Sequence, residues 1–418
     1  MLTEIIREAW VALRRNYTRT LLTMLGIVWG IATVTLLIAY GNSFRGILVG
    51  GFDAFGKSVV IAWPQQTGDQ PGGQRAGKKV VLEQADIDMI KSNAPLVKYA
   101  CLETMSRPGT AYNDRLAGTA AVRGVCPEYG EMRNEVPSEG RWINASDELD
   151  RRRVCFLGGR IREQLFSGRP AVGENVEIGG VRFEVIGVMQ RKIQLSNYFS
   201  SDDESVWIPY SAAGDLWNTR YGAVLVFAPV APQFEKKAMA QVLAAIATRQ
   251  NFSPTDDKAL QMFGRDEFRP VIDAITIGLE VLLTFVGALT LGIGGVGVMN
   301  IMLVSVEERI REIGLRRALG AKKIHIKLQF LAETLLIMLL GGVIGVLVSY
   351  VVAAAVGTLP LMGPLFEDDS GSGDIHLHIS IMTLVASTFV LLIVGVISGL
   401  VPAMRASKLD PVEALRYE

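Results

Sequence analysis

Four groupings in this sequence have residue types and spacings that could do chemistry. Gly51, Gly56, Lys57 and Ser58, in GFDAFGKS, fit the phosphate-binding loop in which backbone amides cradle phosphates and a lysine reaches them. Such a loop joins a strand to a following helix, whereas this one follows a long apolar run and precedes the strand-like VVIA, so nucleotide binding is not expected; no LSGGQ motif accompanies it. Gly292, Gly294 and Gly297 fit the dinucleotide fingerprint GxGxxG but lie inside another apolar run, where small residues serve close helix packing. Asp374, His376 and His378 alternate along DIHLHIS, so an extended backbone would present three metal-ligating groups on one face. Three ligands on one short strand rarely suffice, and polar residues at the lip of an apolar run explain them. With three histidines in the whole chain, no nucleophile, base and orienter can be assembled, and no catalytic, cofactor-binding or metal residue is expected. Cys101, Cys126 and Cys155 show no CxxC spacing; at most one disulfide can form, and the favoured reading is three buried small apolar side chains.

The elements that carry these residues are set by composition. The 418 residues are 50% hydrophobic, with 42 basic and 42 acidic side chains and a mean hydropathy of +0.30. The charges must therefore be segregated from the apolar runs. Zero net charge and the lack of a basic stripe interleaved with aromatics exclude nucleic acid as a partner. Residues 1–20 read as an interfacial helix with Ile6, Trp10, Leu13 and Tyr17 on one side and arginines nearby. Four runs are long enough to cross about 30 Å of hydrocarbon as helices: 21–40, 273–304, 329–356 and 379–401. The first exceeds the apolar length of a cleavable signal and reads as a retained anchor. Basic residues number four in the first 20 positions, seven between Ser305 and Leu328, three after Pro402 and none between Gly357 and His378. The positive-inside rule then puts both termini (1–20 and the tail 402–418) and the 305–328 segment in the cytoplasm, and the 357–378 loop outside.

The domain at 41–272 must also lie outside. Residues 55–106 supply a strand, a helix (Glu83–Asn93) and a strand, and 221–255 supply a matching strand and helix. Between them, 107–220 hold short strands at Arg153–Leu157, Asn175–Ile178, Val181–Met189 and Ser205–Ile208, with Gly179-Gly180 as a hairpin signal. The expected fold class is an α-helical membrane protein with four transmembrane helices and a large α+β extracytoplasmic domain, an α/β subdomain interrupted by a β-rich insert. The pairs Gly26/Gly30, Gly341/Gly345 and Gly395/Gly399 have GxxxG spacing in three spans, which fits packing within one protomer or between two.

Between the second and third spans, NIMLVSVEERIREIGLRRALGAKKIHIKLQFLAE forms a charged handle. Glu307 precedes Arg311, and Glu312 precedes Arg316, by four residues, the orientation that supports an isolated helix. Gly314 weakens that helix, Gly320 ends it, and a second starts at Ala321 with Ile324, Leu328 and Leu331 on one face. Composition alone leaves two readings, a topogenic loop or a docking surface.

The handle, together with NYTRTLLTMLGIVWGI at the first span, PAMRASKLDPVEALRYE at the tail and the outer blocks GRPAVGENVEIGGVRFEVIGVM and ESVWIPYSAA, resembles the MacB-like and FtsX-like permeases of ABC systems over nearly the whole chain. The resemblance implies a porter-like α/β outer subdomain and a role as the non-catalytic permease of an inner-membrane transporter. The coupling helix after Gly320 would seat in a partner ATPase through Ala321, Lys322, Lys323, Ile324, His325, Ile326 and Lys327, with Gln329 and Phe330 marking its passage into the third span. His325 departs from the family, where an acidic residue is common. MacB proper carries its ATPase fused at the N-terminus; because this chain starts at the interfacial helix, a separate ABC ATPase binding the ATP is expected. The further implied partners are a second permease copy or close relative, a membrane fusion (adaptor) protein and membrane lipid. Mechanotransmission driving efflux or secretion is the function implied. The alternatives are a lipoprotein-releasing permease of the LolC/LolE kind and an FtsX-like regulator of an extracytoplasmic hydrolase.

Overall fold

The computed structural model describes residues 17–53, 56, 58–68, 76–118, 120–194, 197–361 and 373–416. Most of the expected interfacial helix lies outside the described residues. In chain order, α1 (Tyr17–Asp53) leads to β1 (Val60–Pro64), α2 (Gln84–Asn93), β2 (Val97–Ser106), β3 (Thr110–Tyr112), β4 (Arg115–Ala117) and β5 (Ala121–Val125). There follow α3 (Tyr129–Arg133), β6 (Pro137–Gly140), α4 (Ala145–Leu149), β7 (Val154–Leu157), α5 (Gly159–Phe166), β8 (Asn175–Ile178), β9 (Val181–Met189), β10 (Ser205–Pro209), α6 (Tyr210–Ala213) and β11 (Val224–Pro229). The chain continues through α7 (Glu235–Gln250), β12 (Leu260–Phe263), α8 (Arg265–Glu308), α9 (Ile310–Ala318), α10 (Lys323–Val356), β13 (Thr358–Leu359), β14 (Ile375–His376), α11 (Ile381–Lys408) and α12 (Pro411–Arg416).

Two compact units result, one holding the apolar helices and the other Ile47–Asp273. In the first unit, Met24–Phe52, Arg269–Glu308, Lys323–Val356 and Ile381–Lys408 are long and apolar enough to cross a membrane. They outrun the stretches free of Lys and Arg. The 44 residues of α8 reach about 66 Å at 1.5 Å per residue, roughly twice a hydrocarbon core. The helix continues into charged sequence at both ends of the apolar run, with Pro270 inside it. Likewise α11 passes through Pro402, where the tail is expected, and stops at Lys408. Ile27, Ile31 and Val34 of α1, Leu291 and Val298 of α8, Ile337 and Met338 of α10, and Leu391 of α11 form one apolar core.

In the second unit the strands run β12-β1-β11-β2-β5-β10-β7-β9-β8-β3-β4, with β6 added on β9. The first four are mutually antiparallel neighbours, so β1 and β2 are parallel with β11 between them. With α2 and α7, this is the split β-α-β arrangement of a ferredoxin-like fold, assembled from two stretches of sequence. Everything from β3 to β10 is inserted between its second and third strands. The insert also carries short helices, and β10 pairs in parallel with β5 as β7 does with β9. At Gly179-Gly180, φ values of 55° and 85° make the β8–β9 turn a conformation that glycine adopts freely.

The two parts share structure. Leu82, Leu102, Leu225, Phe227 and Ile246 pack between the four-stranded face and its helices. On the opposite face Ile61, Cys101 and Val226 join Val125, Phe156 and Trp207 of the insert in a common core. Cys101 and Cys126 form a disulfide between β2 and the residue after β5, and Cys155 is free and buried. The expectation of three unpaired cysteines is thereby corrected: β2 and β5 are sheet neighbours, which brings the two Cα atoms within 5.8 Å.

Candidate functional site

The handle is built from two helix ends. At Arg309 the backbone leaves helical geometry (φ −113°, ψ 16°), which separates α8 from α9. At the other end of α9 the Gly320 N–H donates to the Arg317 carbonyl (3.1 Å) and the Ala321 N–H to the Arg316 carbonyl (3.0 Å). With Gly320 at φ +99°, this is a Schellman termination with glycine in its left-handed position. Lys322 is extended (φ −69°, ψ 146°), and Lys323 begins α10, so the coupling helix and the third span are one continuous helix.

The break at Arg309 redirects the charges. Glu312 pairs with Arg316 across four residues at 2.7 Å. Glu307 pairs instead with Arg405 of α11 at 3.2 Å, because helical spacing to Arg311 is lost at the break. Arg309 reaches buried Glu333 at 3.4 Å and Arg316 donates to Gln329 at 2.9 Å, both on α10. Arg317 donates to the carbonyls of Ser407 (3.5 Å) and Leu409 at the end of α11.

Burial within the handle separates two faces. Ile326 and Phe330 face the core with Ile313, Ala403 and Ala406. Ile324 and Leu328 are 51% and 54% exposed, and Leu315 and Leu319 of α9 are 52% and 81% exposed. Two apolar i, i+4 pairs thus flank Gly320 on the uncovered side, among exposed Lys322, Lys323 and His325. Ala321 and Lys327 are half-buried.

The six glycines of the GxxxG pairs face neighbouring helices of the same protomer. A methyl placed on Gly26 would lie 3.5 Å from Gly294 Cα; on Gly30, 2.9 Å from Leu291 Cδ1; on Gly341, 2.9 Å from Ile27 Cγ2. On Gly345 it would strike Ile31 Cγ2 and lie 2.9 Å from the Val28 carbonyl; on Gly395 and Gly399 it would lie 2.9 Å from Met338 Sδ and Thr334 Cβ.

The other motifs resolve differently. Gly51 is still helical and Gly56 leads into β1, the reverse of strand, loop and helix; Ala54, Phe55 and Lys57 lie outside the described residues. Gly292, Gly294 and Gly297 are interior to α8. His376 sits on β14, its carbonyl accepting from Ser43, and among the described residues no three His, Cys, Asp or Glu group to hold a metal.

A buried ionic cluster in the outer unit is absent from the motif reading. Arg123 of β5 lies 3.4 Å from Glu103 and 3.6 Å from Asp202, all with fully buried side chains. It also donates to the Tyr198 and Ser200 carbonyls at 3.2 and 2.7 Å. Arg133 and Lys192 meet Asp202 at 3.1 and 3.0 Å, and Lys192 also meets Glu135 at 3.1 Å. Burial pushes Glu135 up to about 8, with the Asp202 charge adding to the effect. Burial acts the same way on Asp202, but Lys192, Arg133 and Arg123 outweigh it and hold that carboxyl well below the usual range. The signal in sequence was slight: one arginine at an inward strand position in AVRGV.

Comparison with known proteins agrees with this architecture. Residues 20–248 match the MacB-like periplasmic core domain family, and residues 284–411 match the FtsX-like permease C-terminal family. The chain is 32% identical over 416 residues to the macrolide export ATP-binding/permease protein MacB of Rhodopseudomonas palustris, covering 99% of this chain and 60% of that protein. It is 29% identical over 421 residues to the protein of the same name from Hahella chejuensis, covering 100% and 60%. The periplasmic region of MacB from Actinobacillus actinomycetemcomitans aligns with 53% of this chain and 94% of that one, at 15% identity and a TM-score of 0.41. The chain thus spans about 60% of the length of the relatives it matches.

Proposed function

The chain belongs to the MacB-like, FtsX-like permeases of ABC transporters, multi-pass membrane proteins with a large periplasmic-type domain, and from that premise we propose that it transmits mechanical work. An ABC ATPase seats against the handle on the cytoplasmic side, and ATP hydrolysis moves the spans and, through them, the outer domain. Two permease copies, or this chain and a close relative, work with two ATPases. An adaptor protein joins the outer domain to an efflux or secretion path. The permease itself holds no nucleotide and performs no hydrolysis.

The observation that carries this reading is the uncovered apolar surface of Leu315, Leu319, Ile324 and Leu328 within a basic segment. A purely topogenic loop needs the charges but has no use for leucines facing water, whereas a partner groove rewards them at roughly 25 cal/mol per Å² buried. Orientation rests on the Lys and Arg distribution, and the Cys101–Cys126 disulfide supports an oxidising, outer location for its unit.

Two lesions differing in kind test the proposal. Gly320→Val forces a β-branched residue into the left-handed region, at about 1–2 kcal/mol, where no atom would hinder its Cβ. It should leave ATPase bound and uncouple hydrolysis from outer-unit motion. Lys322→Glu with Lys323→Glu should lose the ATPase on purification, more completely at high salt. Full binding and full coupling in both variants would leave the handle as a topogenic loop only.

A further inference from the structure

At nine residues, α9 is shorter than the roughly 12–15 at which an isolated helix becomes even marginal in water, so its direction must come from what it touches. On one side it touches α12. Ala414 is buried against Gly314, and a methyl placed on that glycine would come within 2.6 Å of Ala414 Cβ, so only glycine admits this approach. The second link is Arg317, whose guanidinium donates to the Ser407 and Leu409 carbonyls. Those carbonyls lie at the C-terminal end of α11, where main-chain acceptors lack helical partners and the helix dipole favours a cation. Ser407 and Ala406 are themselves buried there. The short C-terminal helix is built to stay in place: Asp410 Oδ1 accepts from the Val412 N–H at 2.8 Å, and Pro411 opens the helix without wasting a donor.

We propose that α12 is a brace for the handle and that Arg317 is the positioning residue that ties α9 to the end of α11, from which α12 continues. In this arrangement the handle, the cytoplasmic end of α11 and the C-terminal helix move as one lever. Force from a seated ATPase then reaches the fourth span as well as the third. This rests on the reading that the handle seats in an ABC ATPase, but the first readout below does not.

The test uses the full chain with Arg317→Ala, Arg317→Lys and Ala414→Leu. Hydrogen exchange of the purified chain in detergent should show the amides of Ile313–Ala318 exchanging at least about tenfold faster in Arg317→Ala and Ala414→Leu. The outer unit and the middle of α10 should not change, and Arg317→Lys, which keeps a donor, should restore most of the protection. The second readout is the exchange change along Lys323–Val356 and Ile381–Lys408 when a non-hydrolysable ATP analogue is added to the chain with its bound ATPase. In Arg317→Ala the change along Ile381–Lys408 should be lost, while ATPase retention stays within about twofold of the wild type. Unchanged exchange in both disruptive variants overturns the brace. Faster exchange with an intact nucleotide response along Ile381–Lys408 overturns the lever. Failure of the seating reading is separate: it appears as retention of the ATPase by the Lys322→Glu, Lys323→Glu chain, whatever Arg317 does.

Discussion

Replacing Arg123 by methionine should be the most destabilising single change in the outer unit that leaves side-chain volume nearly intact. The substitution strands Glu103 and weakens the field around Asp202, both fully buried, and removes the donor to the Tyr198 and Ser200 carbonyls. Removing one partner of a buried pair costs about 3–5 kcal/mol, chiefly because the remaining charge is uncompensated. At about 2–4 °C per kcal/mol for a unit of this size, the melting temperature should fall by roughly 6–20 °C. The control is Arg153→Met, which breaks an exposed pair with Asp215 (2.8 Å) and should cost about 1 kcal/mol or less. Adding Glu103→Gln to Arg123→Met should recover part of the loss, since the two positions are coupled. Thermal unfolding of the full chain in detergent, followed by tryptophan fluorescence, to which buried Trp207 contributes, reads all three. If Arg123→Met melts within 2 °C of Arg153→Met, the buried charges are not holding β2, β5 and the 198–202 segment together, and the reasoning fails.

Glu135 has a usual value of 4.5 and is pushed up to about 8. Between those values the folded protein keeps a proton that the unfolded chain has released, so this group makes stability fall as pH rises through that window; Glu135→Gln should flatten the slope of melting temperature against pH there, and an unchanged slope counts against the assignment. Alkylation of the denatured chain should find one thiol, Cys155, before reduction and three after, and Cys101→Ser should cost about 3 kcal/mol from a loop closed over a separation of 25 residues; three thiols without reductant would remove the disulfide. Gly345→Ala should lower the yield of folded monodisperse protein in detergent, because its methyl meets Ile31 and the Val28 carbonyl, while Gly26→Ala should be tolerated; equal behaviour would mean that the helices do not pack this closely.

The fold class was legible because its signals are local and repeated. Apolar runs without Lys or Arg mark the spans, Val181–Val185 alternates, and Gly179-Gly180 turns between two strands. The split ferredoxin-like arrangement could be read as two halves because each carries its own strand and helix pattern. Gly320 was legible for the same reason, since a glycine past a charged helix has few other uses. Illegible features depend on distant partners. The partner of Glu307 became Arg405 only because Arg309 breaks the helix between. Ile324 and Leu328 share a face with Leu331 by spacing, but the core chose Ile326 and Phe330 instead. Arg123 needs Glu103 from the other subdomain and carbonyls from a loop more than 70 residues on, and no short window contains both. The disulfide likewise requires knowing that β2 and β5 are neighbours.

The central claim is that an ABC ATPase seats on the uncovered apolar side of the handle. Photo-crosslinkers placed in turn at Leu319, Ile324 and Leu328, and at exposed Leu116 of the outer unit as a control, test it in intact membranes. The handle positions should give an adduct with a polypeptide whose peptides include a phosphate-binding loop and an LSGGQ motif, and ATP analogue should change its yield; Leu116 should give none. Handle probes that yield no ATPase adduct, in a preparation that hydrolyses ATP and retains the ATPase, would contradict the account.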